Sequence, residues 1–576
     1  MENIYRNTYC GEITKTEVGK TVSIAGWVNS IRNLGSLAFL TIRDESGLVQ
    51  VISEDLTKLD GLTRESTVTI TGSVRLRENA NPEMKTGEIE ILLDTITVLG
   101  KCLNVLPFEI NRSKEASEDT RLKYRYLDLR NPEVHDKIKF RMDVIGHIRK
   151  IMKEMNFTEI TTPIITASSP EGARDFVIPS RNYKGKFYAL PQAPQIYKQL
   201  LMVSGFNRYF QIAPCFRDED CRADRTLEFY QLDFEMSFAT EEDVYEVGEK
   251  VFYDVFSTFG NKTVSDRPFR RIPYKESMEK YGTDKPDLRI PLIIEDITSV
   301  FTNTEFNGFK GKTVKAIKID SCDRPNSWYK KIEEFMKEKG AEGLAYIKIE
   351  DTGELKSTIT KFLSDKEISS LKDILDLKTG NVVFILAGTK NIEKLAGILR
   401  THLGSELDLI DKNRFEFCII NDFPMYEWNE EDEKWDFGHN PFSMPKGGLE
   451  ALENDDIGSI VAYQYDFVCN GFEMASGAVR NHDIEIMRKA FDIAGYDEEV
   501  IKNKFRSLYT AFQYGAPPHA GMAPGIDRMV MLLTGEENLR EVQVFPPNVS
   551  GMDVLMGSPN ELEEKQLREL HIKVRD

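Results

Sequence analysis

Cys215-Phe216-Arg217-Asp218-Glu219-Asp220, with Glu228-Phe229 close behind it, and Gly525-Ile526-Asp527-Arg528 about three hundred residues further on are the stretches that decide the fold. Tyr209–Phe216 and Phe229–Phe238 are apolar and β-prone, and the loop between them, Arg217 to Arg225, is highly charged. That pattern predicts an antiparallel hairpin, and so an antiparallel sheet rather than a doubly wound parallel one. The chemistry points the same way. An arginine set among acids, an aromatic shortly after it and a remote Gly-x-Asp-Arg can grip a nucleoside triphosphate without a glycine-rich phosphate loop. The guanidinium fork suits phosphate oxygens, and neighbouring acids orient it.

Upstream of the hairpin, Ile138, Met142, Ile145, Ile148, Ile151 and Met152 recur at helical spacing between about Val134 and Met155. Phe157 to Pro163 then reads as a strand stopped by proline. Residues 134–287 and 413–576 form one domain in two parts. Between them, 288–412 is rich in Lys and Glu, with short strands at Lys315–Ile319, Gly343–Ile349 and Val382–Leu386. It reads as an inserted α+β domain. Residues 1–108 read as five short strands (Thr21–Val28, Ala38–Ile42, Leu48–Ile52, Val68–Leu76, Ile89–Val98), the pattern of a small Greek-key barrel. The polar stretch 109–133 reads as a hinge or linker. The fold class expected is therefore α+β and multidomain.

The chain has 576 residues and a net charge of -19. The barrel itself has 11 Lys and Arg against 14 Asp and Glu. Such a balance argues against nucleic-acid binding by charge alone and leaves only a few directed contacts. The seven cysteines are scattered without metal-ligand spacing, which disfavours a disulfide framework and a structural zinc. No signal pattern or membrane-length apolar run occurs, so membrane insertion and secretion are not expected.

Several further residues suggest a site. Asp466 and Glu473 flank Asn470-Gly471 and could hold Mg²⁺ through carboxylate oxygens. Phe229 could stack on a base. Lys198 and Arg480 supply cations, Asp233 and Glu171 supply acids, and His439 supplies a further donor. That mixture suits a zwitterion with an acidic side chain. Taken singly, each has an ordinary structural explanation: an arginine beside an aspartate is most often an ion pair, and a loop histidine most often solvated. Only the set points to chemistry.

Together these motifs resemble the class II aminoacyl-tRNA synthetases, and within them the bacterial-type aspartyl-tRNA synthetases. The resemblance spans essentially the whole chain and includes Pro170 to Asp175, Lys285-Pro286-Asp287-Leu288-Arg289 and Pro517 to Gly521. It implies an anticodon-binding barrel of the oligonucleotide-binding type, an antiparallel sheet flanked by helices and the extra domain typical of bacterial enzymes. It also implies an ATP-dependent aspartate–tRNA ligase acting on L-aspartate and tRNA(Asp), as a cytoplasmic homodimer. By the same resemblance, Arg217, Asp218, Glu219, Phe229, Glu473, Gly525, Ile526, Asp527 and Arg528 would contact ATP. Asp466 and Glu473 would take Mg²⁺. Glu171, Gln195, Lys198, Arg217, Asp233, His439 and Arg480 would surround aspartate, with Asp233 orienting both Lys198 and Arg480. Phe39 would stack on an anticodon base, and Arg32, Gln50 and Glu90 would read base edges. Ala193 departs from a frequent serine and Thr226 from a frequent glutamine, which implies altered affinity. The alternatives are an enzyme that also charges tRNA(Asn), or a non-catalytic RNA-binding paralogue, against which the intact Arg217, Glu473 and Arg528 argue.

Overall fold

The structure, a computed structural model, describes residues 3–168 and 172–575. The chain divides into two units, Met1–Glu109 and Ile110–Asp576.

The first unit is a closed five-stranded barrel of β1 (Thr21–Leu34), β2 (Leu37–Asp44), β3 (Gly47–Ser53), β4 (Thr67–Leu76) and β5 (Ile89–Gly100), in the order β1-β2-β3-β5-β4. Alternation dictates its two faces. Ala38, Leu40 and Ile42 of β2 and Val49 and Val51 of β3 fill the interior. The residues between them face outward. β1 runs six residues beyond the expected end at Val28, because a register shift between Val28 and Ser30 lets it pair again with β2.

The second unit is built on an eight-stranded sheet. Its strands are β6 (Thr158–Glu159), β7 (Arg208–Phe216), β8 (Glu228–Ser237), β9 (Arg270–Pro273), β10 (Phe417–Asn421), β11 (Gln464–Cys469), β12 (Phe472–Val479) and β13 (His519–Pro524), ordered β9-β10-β11-β12-β13-β8-β7-β6. The six central strands are antiparallel, as the hairpin predicted. The two edges are not: β9 pairs parallel with β10 and β6 with β7, so the sheet is mixed. Helices α1 (Pro132–Glu154), α2 (Gln195–Val203), α3 (Glu241–Phe259) and α4 (Ile526–Thr534) accompany it. Asn131 caps α1, its side chain accepting the Glu133 N–H, and Pro132 stands in the first turn. A Thr240–Asp243 capping box starts α3. Val144 and Ile148 of α1, Val251 and Phe252 of α3 and Met529 and Val530 of α4 share one core with Leu232 and Phe234 of β8 and Phe467 of β11. Helices α1, α3 and α4 therefore cover one face of the sheet. The other face is left for the site.

The polar stretch read as a linker folds as short helices, Ile110–Glu115, Glu118–Lys123 and Arg125–Asp128. Three of its charged residues, Arg121, Arg125 and Asp128, are buried and paired. Arg121 bridges Asp128 (3.2 Å) and Glu541 (2.8 Å), and Arg125 donates to the Val544 carbonyl (2.9 Å). The inserted segment carries an antiparallel five-stranded sheet of Ile294–Asp296, Thr313–Ile319, Val382–Gly388, Ala345–Ile349 and Leu355–Lys356, in that order, with helices Asn326–Glu338, Asp365–Ile374 and Ile392–Glu406. Arg400, 1% exposed, ties its last helix to the entry segment by donating to the carbonyls of Leu292, Ile290 and Asp287.

Candidate active site

Strand parity builds the site. On β8, Leu232, Phe234 and Met236 enter the core, so Phe229, Gln231, Asp233 and Glu235 face the other way. β11 and β12 join through Asn470-Gly471, both in the left-handed region (φ 53° and 86°), which closes a two-residue turn. A bulge follows. Asp466 opposes Ser476, but Val468 opposes Glu473, so Met474 is an extra residue on β12. Glu473 and Ser476, three residues apart, thereby share the face of Asp466. The bulge also turns two carbonyls to new partners. That of Glu473 accepts from Arg528 Nη1 (2.6 Å), and that of Met474 accepts the Gly525 N–H (2.8 Å).

A cavity of about 490 Å³ opens on this face. Arg217, Glu219, Phe229, Glu473, Gly525, Asp527 and Arg528 line it, as do Gln195, Lys198, Asp233, His439, Asp466 and Arg480. The two arginines that lie far apart in sequence therefore share one cleft with Lys198 and Arg480. Arg217 lies over the Phe229 ring at 5.0 Å.

At the floor lies a buried ion cluster. Lys198 Nζ is 2.8 Å from Asp233 Oδ2 and 3.4 Å from Glu235 Oε2. Arg480 donates to both oxygens of Glu235, at 2.7 and 3.1 Å, and to the Gly521 carbonyl at 3.3 Å. A Cβ at Gly521 would stand 2.2 Å from Glu235 Oε2, so only glycine lets the carboxylate approach that strand. Burial pushes both carboxyls up. For Asp233 burial prevails, whereas Arg480 and Lys198 outweigh it at Glu235 and hold that group below its ordinary value. At the other end, burial and the adjacent Glu473 push the Asp466 carboxyl well above the carboxylate range.

Four cavity-lining residues carry buried polar atoms without a hydrogen-bond partner: the donors Gln195 Nε2 and Arg217 Nε, and the acceptors Asp233 Oδ1 and Asp466 Oδ1. Buried polar atoms are normally paired, and orphans gathered at one cleft of both senses fit a ligand bearing both charges. Against this geometry stands a family model described as tRNA synthetases class II (D, K and N), matched over residues 117–549, with an OB-fold nucleic acid binding domain matched over 22–99.

The chain belongs to the class II tRNA synthetases. Relatives of this synthetase include the aspartate–tRNA(Asp/Asn) ligase of Rickettsia bellii, 51% identical over 99% of this chain and 97% of that protein. The aspartate–tRNA ligase of Streptomyces coelicolor is 49% identical over 99% of each. The fold also matches a putative aspartyl-tRNA synthetase from Leishmania major (TM-score 0.59, 20% identity, 95% and 94% covered) and the Pyrococcus horikoshii asparaginyl-tRNA synthetase with asparaginyl-adenylate (TM-score 0.58, 18% identity, 94% and 98% covered). Those two likenesses are ones of fold.

The structure of this synthetase does not bring every expected residue to the cavity. Ile526 is fully buried in the helical core, not in the cavity, because the helix it opens points it inward. Asp218 faces a separate cleft, 3.9 Å from Arg174, where the hairpin loop turns away from the sheet. Asp527 lines the cavity, but its carboxylate is committed: Oδ1 takes Arg141 of α1 (2.9 Å) and Oδ2 the Tyr230 N–H (3.0 Å). These contacts tie α4 to α1 and β8. Asp233 hydrogen-bonds Lys198, whereas the hydrogen-bonded partner of Arg480 is Glu235. Glu171 lies outside the described residues. His439 packs edge-on against Phe423 at 4.9 Å, and burial lowers its pKa.

Sequence reasoning missed Glu235 and Arg141, and gave Lys285 no role beyond its place in a quoted stretch. Signals existed for the first two. Glu235 continues the 229-231-233 alternation, and Arg141 falls on the apolar stripe of α1 with Val144, Ile145 and Ile148. In the barrel, Arg32 pairs opposite Phe39 on the outer face. Gln50 donates to Glu90 (2.8 Å), which also takes Arg75 (2.8 Å).

His519 gives a pH prediction. It is fully buried, its Nδ1 2.8 Å from the Pro517 carbonyl and its Nε2 3.1 Å from Gln199 Oε1, and burial pushes it down to about 4. An unfolded histidine protonates near pH 6.5. Between pH 6.5 and about 4 the unfolded chain therefore binds the extra proton, and the stability that burial of neutral His519 preserves above pH 6.5 is lost as pH falls, by about 3 kcal/mol. The depressed Glu235 carboxyl acts only below its ordinary value of 4.5. The raised Asp233 and Asp466 carboxyls act with the opposite sign in this window, so the comparison isolates the histidine: from pH 6.5 to 4.5 the urea midpoint of the wild type should fall relative to that of His519→Gln. Equal slopes would exclude this account.

Proposed function

We propose that this synthetase activates L-aspartate with ATP and transfers the aspartyl group to the 3′ end of tRNA(Asp). The observation that carries this reading is the buried Lys198–Asp233–Glu235–Arg480 cluster lying in the same cleft as Arg217 and Arg528. A second buried cation matches a side-chain carboxylate, where a lysine pocket needs acids. The named relatives support it.

In the first step an aspartate α-carboxylate oxygen attacks the α-phosphorus of ATP. A mixed anhydride forms, and pyrophosphate leaves with the electron pair of the broken P–O bond. Arg217 serves the α-phosphate and the carboxylate, Arg528 the γ-phosphate, and Phe229 the adenine. Little covalent help is needed: positioning and charge stabilisation supply the rate. Gln195 and Asp233 present a free donor and a free acceptor to the amino acid. In the second step a ribose hydroxyl of the terminal adenosine attacks the carbonyl carbon and AMP departs.

Class II synthetases use ATP, and Mg²⁺ fits the residues present. Asp466 and Glu473 offer oxygen donors only, one of them a buried oxygen without a partner, which suits a hard cation that keeps part of its water shell. Bound there, it would neutralise phosphate charge. Among the described residues no group of three or more His, Cys, Asp or Glu converges as a metal cage.

Aspartate-dependent exchange between pyrophosphate and ATP tests the reading. Stimulation by asparagine or lysine in place of aspartate would reject it. The barrel, residues 1–108, serves as the anticodon module, and 288–412 as the bacterial insertion. Phe39→Ala should leave exchange unchanged and weaken tRNA charging by about tenfold to a hundredfold, the worth of one stacked base. Equal loss in both assays would remove the anticodon role. We place the enzyme in the cytoplasm as a homodimer joined around α1 and the Pro163 segment. No helix among the described residues is long and apolar enough to cross a membrane. A second reading, charging of tRNA(Asn) as well, is favoured by the dual designation of the Rickettsia bellii relative. Charging the two transcripts side by side decides it.

A further inference from the structure

Lys285 has no role in the reading above, yet it stands in the cavity wall beside the carboxylates assigned to the metal. Its Nζ lies 2.9 Å from Asp284 Oδ2 and 3.4 Å from Glu473 Oε2. Asp466, on the same face as Glu473, keeps Oδ1 buried and without a hydrogen-bond partner. One ammonium therefore pairs with Asp284 and Glu473, and Asp466 lies on the same face as Glu473.

The backbone that carries it is fixed on both sides. Before it, Ser277 Oγ donates to the Thr283 carbonyl (2.7 Å), and Thr283 Oγ1 accepts the Lys285 N–H (3.2 Å). After it, Asp287 takes Arg289 at 2.9 and 2.7 Å, and Arg400 donates to the Asp287 carbonyl at 2.9 Å. The side chain is 40% exposed toward the cavity and hangs on a flexible four-carbon stem. The backbone anchor is fixed, and the charge is carried on a stem with several rotatable bonds.

We propose that Lys285 is a tethered cation, which pairs with the Glu473 carboxylate when no metal is bound there and would pass to the pyrophosphate once a metal–nucleotide engages that carboxylate. The inference rests on the adenylation reading. Its first half opposes loading of the carboxylates by a free divalent ion, since the ion must displace a resident charge. Its second half supplies a donor to the leaving group: as the bond from the α-phosphorus to the bridging oxygen breaks, the electron pair goes to that oxygen, and the ammonium meets the added charge. A phosphate chain gives the lysine somewhere to go, so metal and nucleotide enter together.

The test compares the full-length wild type with Lys285→Met and Lys285→Arg. Binding of Mn²⁺ without ATP, followed by electron paramagnetic resonance, should be about tenfold tighter in the Met variant, because a competing charge has gone. Aspartate-dependent exchange in Mg²⁺ should fall about a hundredfold in that variant, as for loss of one charge-stabilising donor. The Arg variant should stay within about threefold of the wild type in both assays. Equal or weaker Mn²⁺ binding by the Met variant overturns the tether, and undiminished exchange overturns the transfer to pyrophosphate. If the Met variant does not fold, Lys285→Gln provides the same comparison. A wild type without aspartate-dependent exchange rejects the parent reading instead, and the Mn²⁺ comparison still judges the tether.

Discussion

Replacing Arg217 with alanine is expected to lower aspartate-dependent ATP–pyrophosphate exchange by about a thousandfold or more. The side chain lines the cavity, covers the Phe229 ring at 5.0 Å and keeps Nε buried without a partner. Its bonding capacity is thus held in reserve for a ligand. Charge builds on the α-phosphoryl group as pyrophosphate leaves, and an arginine meeting that charge is worth about 10³–10⁵ in rate. The loss should appear in kcat as well as KM, because the interaction strengthens in the transition state. Stability should barely change, since the contact with Phe229 is worth about 0.5–1 kcal/mol. Arg217→Lys keeps the charge but loses the fork, and should recover only part of the rate. A loss smaller than about tenfold in the alanine variant would remove Arg217 from the chemistry.

Arg480→Met should act first on stability. Arg480 is 2% exposed and holds both oxygens of Glu235, which is itself fully buried. Without it, Glu235 keeps only Lys198, at 3.4 Å and shared with Asp233. Breaking a buried pair from one side costs about 3–5 kcal/mol, because the remaining charge is left uncompensated in a low-dielectric site. The double variant Arg480→Met, Glu235→Leu should regain most of that loss. It should not regain aspartate binding, since the pocket then has one cation fewer. Urea unfolding separates the first effect and the KM for aspartate the second. A double variant with normal KM would show that Arg480 serves the fold alone.

The sequence made the sheet's centre legible because β7 and β8 are long, β8 alternates from Gln231 to Met236, and the two flank a charged loop. The parallel edges were legible only in part: Phe157 to Pro163 reads as a strand but only Thr158–Glu159 pairs, Arg270–Pro273 is too short to carry a period, and the parallel pairing depends on strands distant in sequence. The stretch 110–128 was misread because charges that pair within the fold look, in a string of letters, like charges facing water. The same blindness affected the site. Arg217, Lys198 and Arg480 were recognisable from their motifs. That Asp527 spends both oxygens on Arg141 and Tyr230, or that Glu235 and not Asp233 holds Arg480, depends on which side chains meet across strands. Parity would have suggested Glu235; nothing short of the fold would have given its partner.

The extra residue at Met474 carries a consequence for engineering and divergence. Asp466, Glu473 and Ser476 share one side of the hairpin only because the segment after Asn470-Gly471 is one residue longer than its opposite strand requires. Shortening Gly471–Ser476 by one residue would restore an even ladder and turn Glu473 or Ser476 into the greasy layer beneath, whatever letters remain. Residue count is thus constrained here as tightly as residue type, and libraries in this hairpin should vary identity at fixed length.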